Sequence, residues 1–190
     1  MCRTANGFDV NWYDEWVKAV NSVIDGKIPE YNFLATGQQK DGRGNLAPAT
    51  IILPTLAMEA RKKAKNNPDL FVDCFMDILD KAIHDCKDGL LERYNWIAAQ
   101  NKNSAKFMYE NGTMYGYKEE EGIRSALKHG TLVIGQLGLA ETLQLLVGCD
   151  QTTEKGMEVA KKIEGLFKKR CAEFKEEYKL NFGVYYTPRF

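Results

Sequence analysis

The chain has 190 residues, and its 26 Lys and Arg side chains balance its 26 Asp and Glu side chains to a formal net charge of zero. This balance excludes a global field that favours nucleic acid or an anionic membrane, and the apolar runs are far shorter than a membrane span. No signal-peptide core follows Met1, and the five cysteines form neither a CxxC pair nor a zinc spacing. The composition predicts a cytoplasmic domain in a reducing compartment, with no metal site, no nucleic-acid partner and no membrane partner.

The first part of the chain predicts a helix, a loop, a strand and a second helix. Asn11 can cap a helix that ends near Gly26, and residues 27–47 are polar and glycine-bearing, as loops are. Residues 50–53 are β-branched or apolar, which is typical of a buried strand. Pro54 then suits the first turn of a helix, because no backbone N–H is needed there.

The middle of the chain predicts one long helix followed by an irregular connection. Asn67 can cap this helix with Pro68 in the first turn, and Gly89 is expected to break or bend it. Residues 101–121 are rich in Asn, Gly and Tyr and predict a long connection with one short element. The apolar stripe of the long helix comprises Phe71, Val72, Phe75, Met76, Leu79, Ala82, Ile83, Cys86, Leu90, Tyr94 and Ile97.

The central unit predicts a strand, a turn and a helix. Residues 131–134 suit a strand buried on both faces, and Gly135 and Gly138 predict a turn after it. A helix then begins at Leu139, and with Gly138 as N-cap the carboxylate of Glu141 lies at position N3, where the helix dipole favours it. Open α/β folds place their chemistry at the carboxyl end of such a strand, although the pattern also fits a packed unit without chemistry.

The last part of the chain predicts a helix over 153–178 and a strand over 182–186. Strands that alternate with helices predict an α/β fold with parallel pairing. Three strands are few for so much helix, and both chain ends look abrupt, so we expect a piece of a larger protein. Four cysteines fall in apolar helical patterns and are expected to be core thiols: Cys74, Cys86, Cys149 and Cys171.

Several short motifs occur in order along the whole chain. They are Cys2-Arg3-Thr4, Gly42-Arg43-Gly44-Asn45-Leu46, Thr50-Ile51-Ile52-Leu53-Pro54, His129-Gly130-Thr131-Leu132-Val133-Ile134-Gly135, Gly138-Leu139-Ala140-Glu141, and Asn181-Phe182 ahead of Thr187-Pro188. This ordered set resembles the catalytic core of the anaerobic (class III) ribonucleoside-triphosphate reductases, which are glycyl-radical enzymes. Each motif alone is weak, and the specificity lies in their order.

The resemblance implies that the chain is part of a ten-stranded α/β barrel. Residues 1–190 would form a single partial catalytic domain. The family's effector-binding region would precede Met1, and its radical glycine and zinc cysteines would follow Phe190. The implied activity is the reduction of ribonucleoside triphosphates to deoxyribonucleoside triphosphates, and the chain alone is expected to be inactive.

The resemblance also implies the cofactors and partners of the parent enzyme, and none of the cofactors would lie within this chain. The parent is expected to carry a glycyl radical that a radical-SAM activating enzyme installs, and to use formate or a dithiol as reductant. It is also expected to bind ATP and deoxynucleotide effectors, to hold a structural zinc in its C-terminal region, and to form a homodimer.

The resemblance gives catalytic roles to Cys2 and Glu141. Cys2 matches the family's radical-bearing cysteine, whose sulfur abstracts a hydrogen atom from the ribose 3′ carbon and later returns it. A cysteine beside an initiator Met is otherwise an ordinary exposed thiol. Glu141 would help to remove the proton of the 3′ hydroxyl, while its place at a helix start is a sufficient structural reason for a carboxylate.

Substrate binding is predicted for Asn45, His129 and Thr187. Thr187 would offer its hydroxyl and amide to the substrate phosphates, as the family loop does. Asn45 either binds a ligand from the glycine-bearing loop or makes a local turn. His129 either binds substrate or satisfies backbone groups at the entrance of the strand.

The chain departs from the family pattern at Ile52 and Arg189. Ile52 stands where the family commonly has Asn, which removes a polar group from the expected pocket, and Arg189 stands where Ala is usual. Two alternatives stay open. One is another glycyl-radical enzyme of the pyruvate formate-lyase type, whose core commonly carries adjacent cysteines that this sequence lacks. The other is a helical interaction domain without catalysis.

Overall fold

The computed structural model describes residues 9–11, 44–114 and 116–186. The predicted helix over 11–26 and most of the predicted loop over 27–47 therefore lie outside the described residues. Within them the elements follow in the order β1 (Asn45–Ile52), α1 (Leu53–Lys63), a 3₁₀ turn (Pro68–Leu70), α2 (Phe71–Ala98), a second 3₁₀ turn (Lys102–Ala105), α3 (Lys106–Glu110), α4 (Arg124–Leu127), β2 (Thr131–Leu137), α5 (Leu139–Val147), α6 (Glu154–Tyr178) and β3 (Asn181–Tyr186).

The three strands form one parallel sheet in the order β1-β2-β3, with β2 in the centre. At the amino end of the sheet, Thr131 lies opposite Asn45 on one side and Asn181 on the other. Each connection between neighbouring strands carries helices, which is how parallel strands are usually joined. The prediction of a helix-rich α/β fold with few parallel strands is confirmed.

Strand β1 begins earlier than predicted, because a bulge lets it pass a proline and still pair with β2. The predicted loop ends before Asn45 instead of after Ala47. The register shifts between Leu46 and Ala49, and Ala47 has a positive φ of 41°. Pro48 donates no backbone hydrogen bond, so it fits only where the ladder is interrupted. The Gly, Asn and Pro residues that indicated a loop belong instead to this irregular strand.

Strand β2 extends through Gly135 to Leu137, so the predicted turn between Gly135 and Gly138 is wrong. Gly138 alone makes the turn, with a φ of 83°. Gly135 lies inside the strand. Glycine is required there because a Cβ would lie 2.6 Å from Thr50 Oγ1 and 2.8 Å from Tyr185 Cε1. Glycine inside a strand commonly marks such a close approach of neighbouring groups.

The helices cover one face of the sheet and form the hydrophobic core with it. Helix α2 runs unbroken through Gly89, so the predicted break is wrong. A glycine inside a helix costs only about 1 kcal/mol, whereas each large side chain that this helix buries contributes about 1.5–3 kcal/mol. Helix α6 begins as predicted, with Thr153 Oγ1 accepting a hydrogen bond from the Gly156 amide. The fully buried core residues include Leu53, Phe75, Leu79, Ile83, Leu90, Leu132, Ile134, Leu143, Ile163 and Phe167.

An ion pair and a buried lysine hold α2 against α6. Arg170 donates two hydrogen bonds to the Asp80 carboxylate, at 2.6 and 2.7 Å, and holds the pKa of Asp80 below its usual range. The ammonium group of Lys87 lies 5.3 Å from the centre of the Tyr178 ring, and Asp88 beside it raises the pKa of Lys87. Neither of these two long helices, nor any other helix in the described ranges, is long and apolar enough to cross a membrane.

The prediction of four core thiols holds for one cysteine only. Cys171 is buried, and burial raises the pKa of its thiol to about 11. Cys74, Cys86 and Cys149 are half-buried. Cys74 and Cys86 lie beside the most buried stripe of α2 rather than on it, and Cys149 follows the glycine that ends α5. Helical spacing therefore identified the helices correctly without ranking the burial of these side chains.

Candidate active site at the carboxyl end of the sheet

A cavity of about 460 Å³ opens at the carboxyl ends of β1 and β2. Parallel α/β sheets bind their ligands at this end of the strands, because the loops that follow the strands are free to shape a pocket there. Among the described residues that line it, Glu141 provides the one acidic side chain. The lining residues are Ile52, Pro54, Leu137, Gly138, Leu139, Ala140 and Glu141.

The turn at Gly138 holds the start of α5 close to the end of β2. Its φ of 83° is open mainly to glycine, and a Cβ there would lie 2.6 Å from Pro54 Cγ. The Gly138 carbonyl accepts hydrogen bonds from the amide of Thr142 at 3.0 Å and from its hydroxyl at 2.8 Å. Gly138 is therefore the N-cap that the sequence predicts, and it is the single residue between the end of β2 and the start of α5.

Glu141 lies at position N3 of α5, in the first turn. Its Oε2 is 3.6 Å from the point where a Cβ of Gly138 would be, so the carboxylate folds back toward the helix start. The side chain is exposed on the cavity wall, at the carboxyl end of the central strand. A carboxylate here meets the positive end of the helix dipole and also faces the cavity, so this position is compatible with both predicted roles.

Replacing Gly138 by alanine is expected to destabilise the fold by about 2–5 kcal/mol, because the left-handed conformation costs an alanine roughly 1–2 kcal/mol and the clash with Pro54 costs about 1–3 more. Gly148 at the other end of α5 is a matched control. Its φ is 75°, yet nothing lies within 4 Å of where its Cβ would be. Gly148→Ala should therefore lose only about 1–2 kcal/mol.

Urea unfolding of the full 190-residue chain, followed by circular dichroism, measures both losses. Equal losses for the Gly138 and Gly148 variants would show that Pro54 moves aside without cost and that the turn is not sterically closed.

A second group of residues beside the cavity was not predicted as a site. Thr50, Gly135 and Tyr185 lie opposite one another across the three strands. Ile134 belongs to the helix-covered core, so alternation along β2 places Gly135 on the other face, and the side chains of Thr50 and Tyr185 close over it. The isolated glycine in an otherwise apolar strand was the only sequence signal for this arrangement.

A third group lies on the helix-covered face and holds the end of β3. Gln136 is buried, and its amide donates to both carboxylate oxygens of Glu164 at 2.9 and 3.0 Å. The Tyr186 hydroxyl donates to the same carboxylate at 2.6 Å, which raises the pKa of Tyr186 to about 12. These bonds fix the last described residue of β3, directly before Thr187 in the sequence. A Gln near the end of an apolar strand was their only sequence signal.

Comparison with known proteins decides the family. A family model described as anaerobic ribonucleoside-triphosphate reductase matches residues 2–189. The chain belongs to this family. The anaerobic ribonucleoside-triphosphate reductase of Haemophilus influenzae is 26% identical over 196 residues, which cover 95% of this chain and 26% of that protein. The enzyme of phage T4 is 27% identical over 151 residues, which cover 78% of this chain and 23% of that protein.

The fold agrees with that of a solved anaerobic reductase. The crystal structure of the anaerobic ribonucleotide reductase from Thermotoga maritima, with glycerol in its active site, matches with a TM-score of 0.58 at 19% identity. The match covers 78% of this chain and 22% of that one. The chain thus spans about a quarter of the length of these reductases, and the prediction of a partial α/β barrel is confirmed at the level of the fold.

The residues predicted as the reductase site do not all lie together. Asn45 and His129 are at the amino ends of β1 and β2, whereas Glu141 follows the carboxyl end of β2. The seven residues of β2 separate the two ends by about 20 Å, at about 3.3 Å per residue. Cys2 and Thr187, like the divergent Arg189, lie outside the described residues.

The family departure at Ile52 falls on the cavity wall. Ile52 is the last residue of β1 and is 54% exposed, and it lines the cavity together with Glu141. A relative with Asn at this position would offer an amide there. In this chain the wall opposite the carboxylate is apolar, so Glu141 contributes most of the polarity among the described lining residues.

The described residues do not provide the zinc site that the resemblance implies for the parent. No group of three or more His, Cys, Asp or Glu side chains that could hold a metal ion occurs within 9–11, 44–114 and 116–186. The zinc cysteines of the family belong to its C-terminal region.

Proposed function

We propose that this chain is part of the catalytic core of an anaerobic reductase that converts ribonucleoside triphosphates to deoxyribonucleoside triphosphates. The observation that carries the proposal is the match of the family model to residues 2–189, nearly the whole chain. The cavity beside Glu141 supports it, because it lies at the end of the sheet where α/β folds bind ligands.

Cys2 is the proposed hydrogen-abstracting residue. In the assembled enzyme a glycyl radical would take the hydrogen atom of this thiol, so that a glycine C–H bond forms, the S–H bond breaks and the unpaired electron moves to the sulfur. The sulfur then takes a hydrogen atom from the ribose 3′ carbon, so that an S–H bond forms, the C–H bond breaks and the unpaired electron moves to that carbon. The same S–H group returns the hydrogen atom at the end. Sulfur suits this exchange because the strengths of its S–H bond and the activated C–H bond are similar.

Glu141 is the proposed base for the 3′ hydroxyl. Its carboxylate is on the cavity wall and can accept the hydroxyl proton when hydrogen abstraction makes that proton more acidic. The 2′ hydroxyl then takes up a proton and leaves as water as its C–O bond breaks. Formate, which is oxidised to carbon dioxide, or a dithiol, which is oxidised to a disulfide, supplies the two electrons for the new C–H bond at the 2′ carbon.

The substrate contacts are divided between the two ends of the sheet. Thr187 is the proposed phosphate contact, and the Gln136–Glu164–Tyr186 bonds hold the chain immediately before it. His129 is buried and bonded to Asp9 through Nδ1 at 2.9 Å, which favours its structural role. Asn45 is about 20 Å from Glu141 along the strands, so it would contact a different part of a bound nucleotide. The alternative of a local turn is wrong, because Asn45 pairs with Thr131 in β1.

The proposal includes the partners of the whole reductase. A radical-SAM activating enzyme would install the glycyl radical, and ATP and deoxynucleotides would act as effectors. A C-terminal zinc would be structural, and two copies of the parent would form the active dimer. These parts would lie outside the single partial domain formed by residues 1–190.

Activity of the parent polypeptide tests the proposal. Under anaerobic conditions, with the activating enzyme, S-adenosylmethionine and formate or a dithiol, it is expected to form deoxynucleotides from ribonucleoside triphosphates. The 190-residue chain under the same conditions is expected to form none, because the resemblance places the radical glycine after Phe190. Product from the short chain would contradict the assignment as a fragment. Acetyl-group transfer to coenzyme A instead of nucleotide reduction would favour the pyruvate formate-lyase alternative.

A further inference from the structure

The wall of the cavity continues along the face of the sheet that is opposite the described helices. Ile52 and Leu137 lie opposite each other on β1 and β2, and both line the cavity. Two residues earlier, Thr50 lies opposite Gly135, and Ile51 in between belongs to the helix-covered core. Because side chains alternate along a strand, Thr50 and Gly135 share the face of the cavity wall and lie about 7 Å further toward the middle of the sheet.

Tyr185 of β3 completes this second row of residues. It lies opposite Gly135 in the register of β2 and β3. A Cβ at Gly135 would be 2.8 Å from Tyr185 Cε1 and 2.6 Å from Thr50 Oγ1. The Tyr185 ring therefore extends from β3 over the central strand toward β1, which is possible only because Gly135 has no side chain. We refer to Thr50, Gly135 and Tyr185 as the inner row.

The inner row offers two hydroxyl groups next to the cavity. Thr50 is exposed and Tyr185 is half-buried. Among the described residues neither hydroxyl has a hydrogen-bond partner, whereas the hydroxyl of the adjacent Tyr186 donates to Glu164. A hydroxyl both donates and accepts, so the inner row can bind groups of either kind. Ligand sites commonly combine such a few polar groups with mostly apolar walls, as this cavity does.

The chemistry of the inner row favours the sugar of a nucleotide over its phosphates. None of the described residues on the cavity wall or in the inner row is cationic, and the carboxylate of Glu141 repels phosphate. Neutral hydroxyl groups suit the hydroxyl groups of a sugar, because each can donate to and accept from the other. The proposed action of Glu141 on the 3′ hydroxyl also places the ribose at this cavity, within reach of the neighbouring row.

We propose that the inner row is a binding subsite for the ribose of the nucleotide, in which the hydroxyls of Thr50 and Tyr185 bond to the sugar hydroxyl groups. The inference rests on the proposed function of the cavity as a nucleotide site. It gives Thr50 and Tyr185 a role in binding and leaves proton removal to Glu141. Gly135 acts through the other two residues and is a positioning residue, because any side chain there would separate them.

The affinities for two related nucleotides test the subsite in the full 190-residue chain. CTP has both ribose hydroxyls, and 2′,3′-dideoxy-CTP has neither. Isothermal titration calorimetry is expected to show tighter binding of CTP. Tyr185→Phe and Thr50→Val are each expected to reduce this preference by about two- to tenfold, the range for one hydrogen bond. Both variants should bind the dideoxy analogue as well as the wild-type chain does, because the analogue has no hydroxyl to lose.

Tyr186→Phe is the matched control for Tyr185→Phe. The two tyrosines are adjacent, but Tyr186 is on the helix-covered face and its hydroxyl is bonded to Glu164. Its replacement should leave the preference for CTP unchanged. Gly135→Ala should reduce the preference at least as much as either hydroxyl variant, and if it does not fold, the two conservative variants still decide. Wild-type chain without a preference for CTP, or an unchanged preference in both hydroxyl variants, would overturn the inference.

Nuclear magnetic resonance shows whether the nucleotide contacts the Tyr185 ring itself. The chain has nine tyrosines, which can be labelled with carbon-13 at their ε positions, and the signal that Tyr185→Phe removes belongs to Tyr185. CTP is expected to shift this signal more than that of Tyr186. No saturable shift of the Tyr185 signal at millimolar CTP, or a larger shift at Tyr186, would overturn the inference.

The result is separable from the proposed reductase activity. A preference for CTP that depends on Tyr185, in a chain whose parent forms no deoxynucleotide, would retain the subsite and reject the function. Deoxynucleotide formation by the parent, with the same KM for CTP in the wild type and in Tyr185→Phe, would retain the function and reject the subsite.

Discussion

Cys2→Ser in the parent reductase is expected to abolish deoxynucleotide formation while the glycyl-radical signal remains. A serine O–H bond is much stronger than the S–H bond of cysteine, so oxygen cannot exchange a hydrogen atom with both the radical source and the ribose 3′ carbon. The substitution keeps nearly the same side-chain size. The folded protein and its affinity for nucleotide are therefore expected to be unchanged. Electron spin resonance and product chromatography on the same anaerobic sample measure the two quantities.

Cys149→Ser is the matched control for this variant. Cys149 is half-buried after the end of α5, and it does not line the cavity. Its replacement should leave both the radical signal and the product yield near the wild-type level. Normal product yield from Cys2→Ser, with the radical present, would show that another group abstracts the hydrogen atom and that Cys2 is an ordinary thiol.

Glu141→Gln in the parent is expected to lower the chemical step by about two to four orders of magnitude, the usual range for the loss of a general base. Glutamine keeps the size and one oxygen of the side chain but does not accept the hydroxyl proton. The loss should appear in the rate constant of a single turnover, and steady-state kinetics should show little change in KM. The cost to folding should be only about 0.3–1 kcal/mol, the contribution of a carboxylate at a helix start.

Glu154 provides the control, because it is the carboxylate in the first turn of α6 and lies outside the cavity lining. Glu154→Gln should cost a similar fraction of stability, since it loses the same interaction with a helix dipole. It should not change kcat. If the two variants have the same small effect on turnover, Glu141 serves only the helix start.

Local patterns predicted those elements whose signals depend on neighbouring residues. These signals are Pro54 at the start of α1, Thr153 at the start of α6 and the apolar stripe of α2. Each depends only on residues within a few positions, so it can be read directly from the sequence. The position of Glu141 also followed, because the turn at Gly138 fixes the start of α5 within one residue of β2.

The predictions that were wrong concern positions decided by distant partners. Gly135 indicated a turn, yet Thr50 and Tyr185 from the two neighbouring strands require a glycine inside the sheet. Asn45 indicated a loop, yet it pairs with Thr131 ahead of a bulge. The hydrogen bond between Asp9 and Asn181 was not predicted for the same reason. It joins residues 172 positions apart and leaves no periodic pattern in the local sequence.

The contact between Asp9 and Asn181 also has a consequence for biosynthesis, since the two residues are 172 positions apart. Ribosomes add about 5–20 residues per second, so roughly 10–35 s pass between the synthesis of Asp9 and that of its partner. During that interval the carboxylate has no Asn181 to bind and is better solvated by water than buried. The contact between Asp9 and Asn181 can therefore form only after the first residue of β3 has left the ribosome, whatever structure the helices have formed before then.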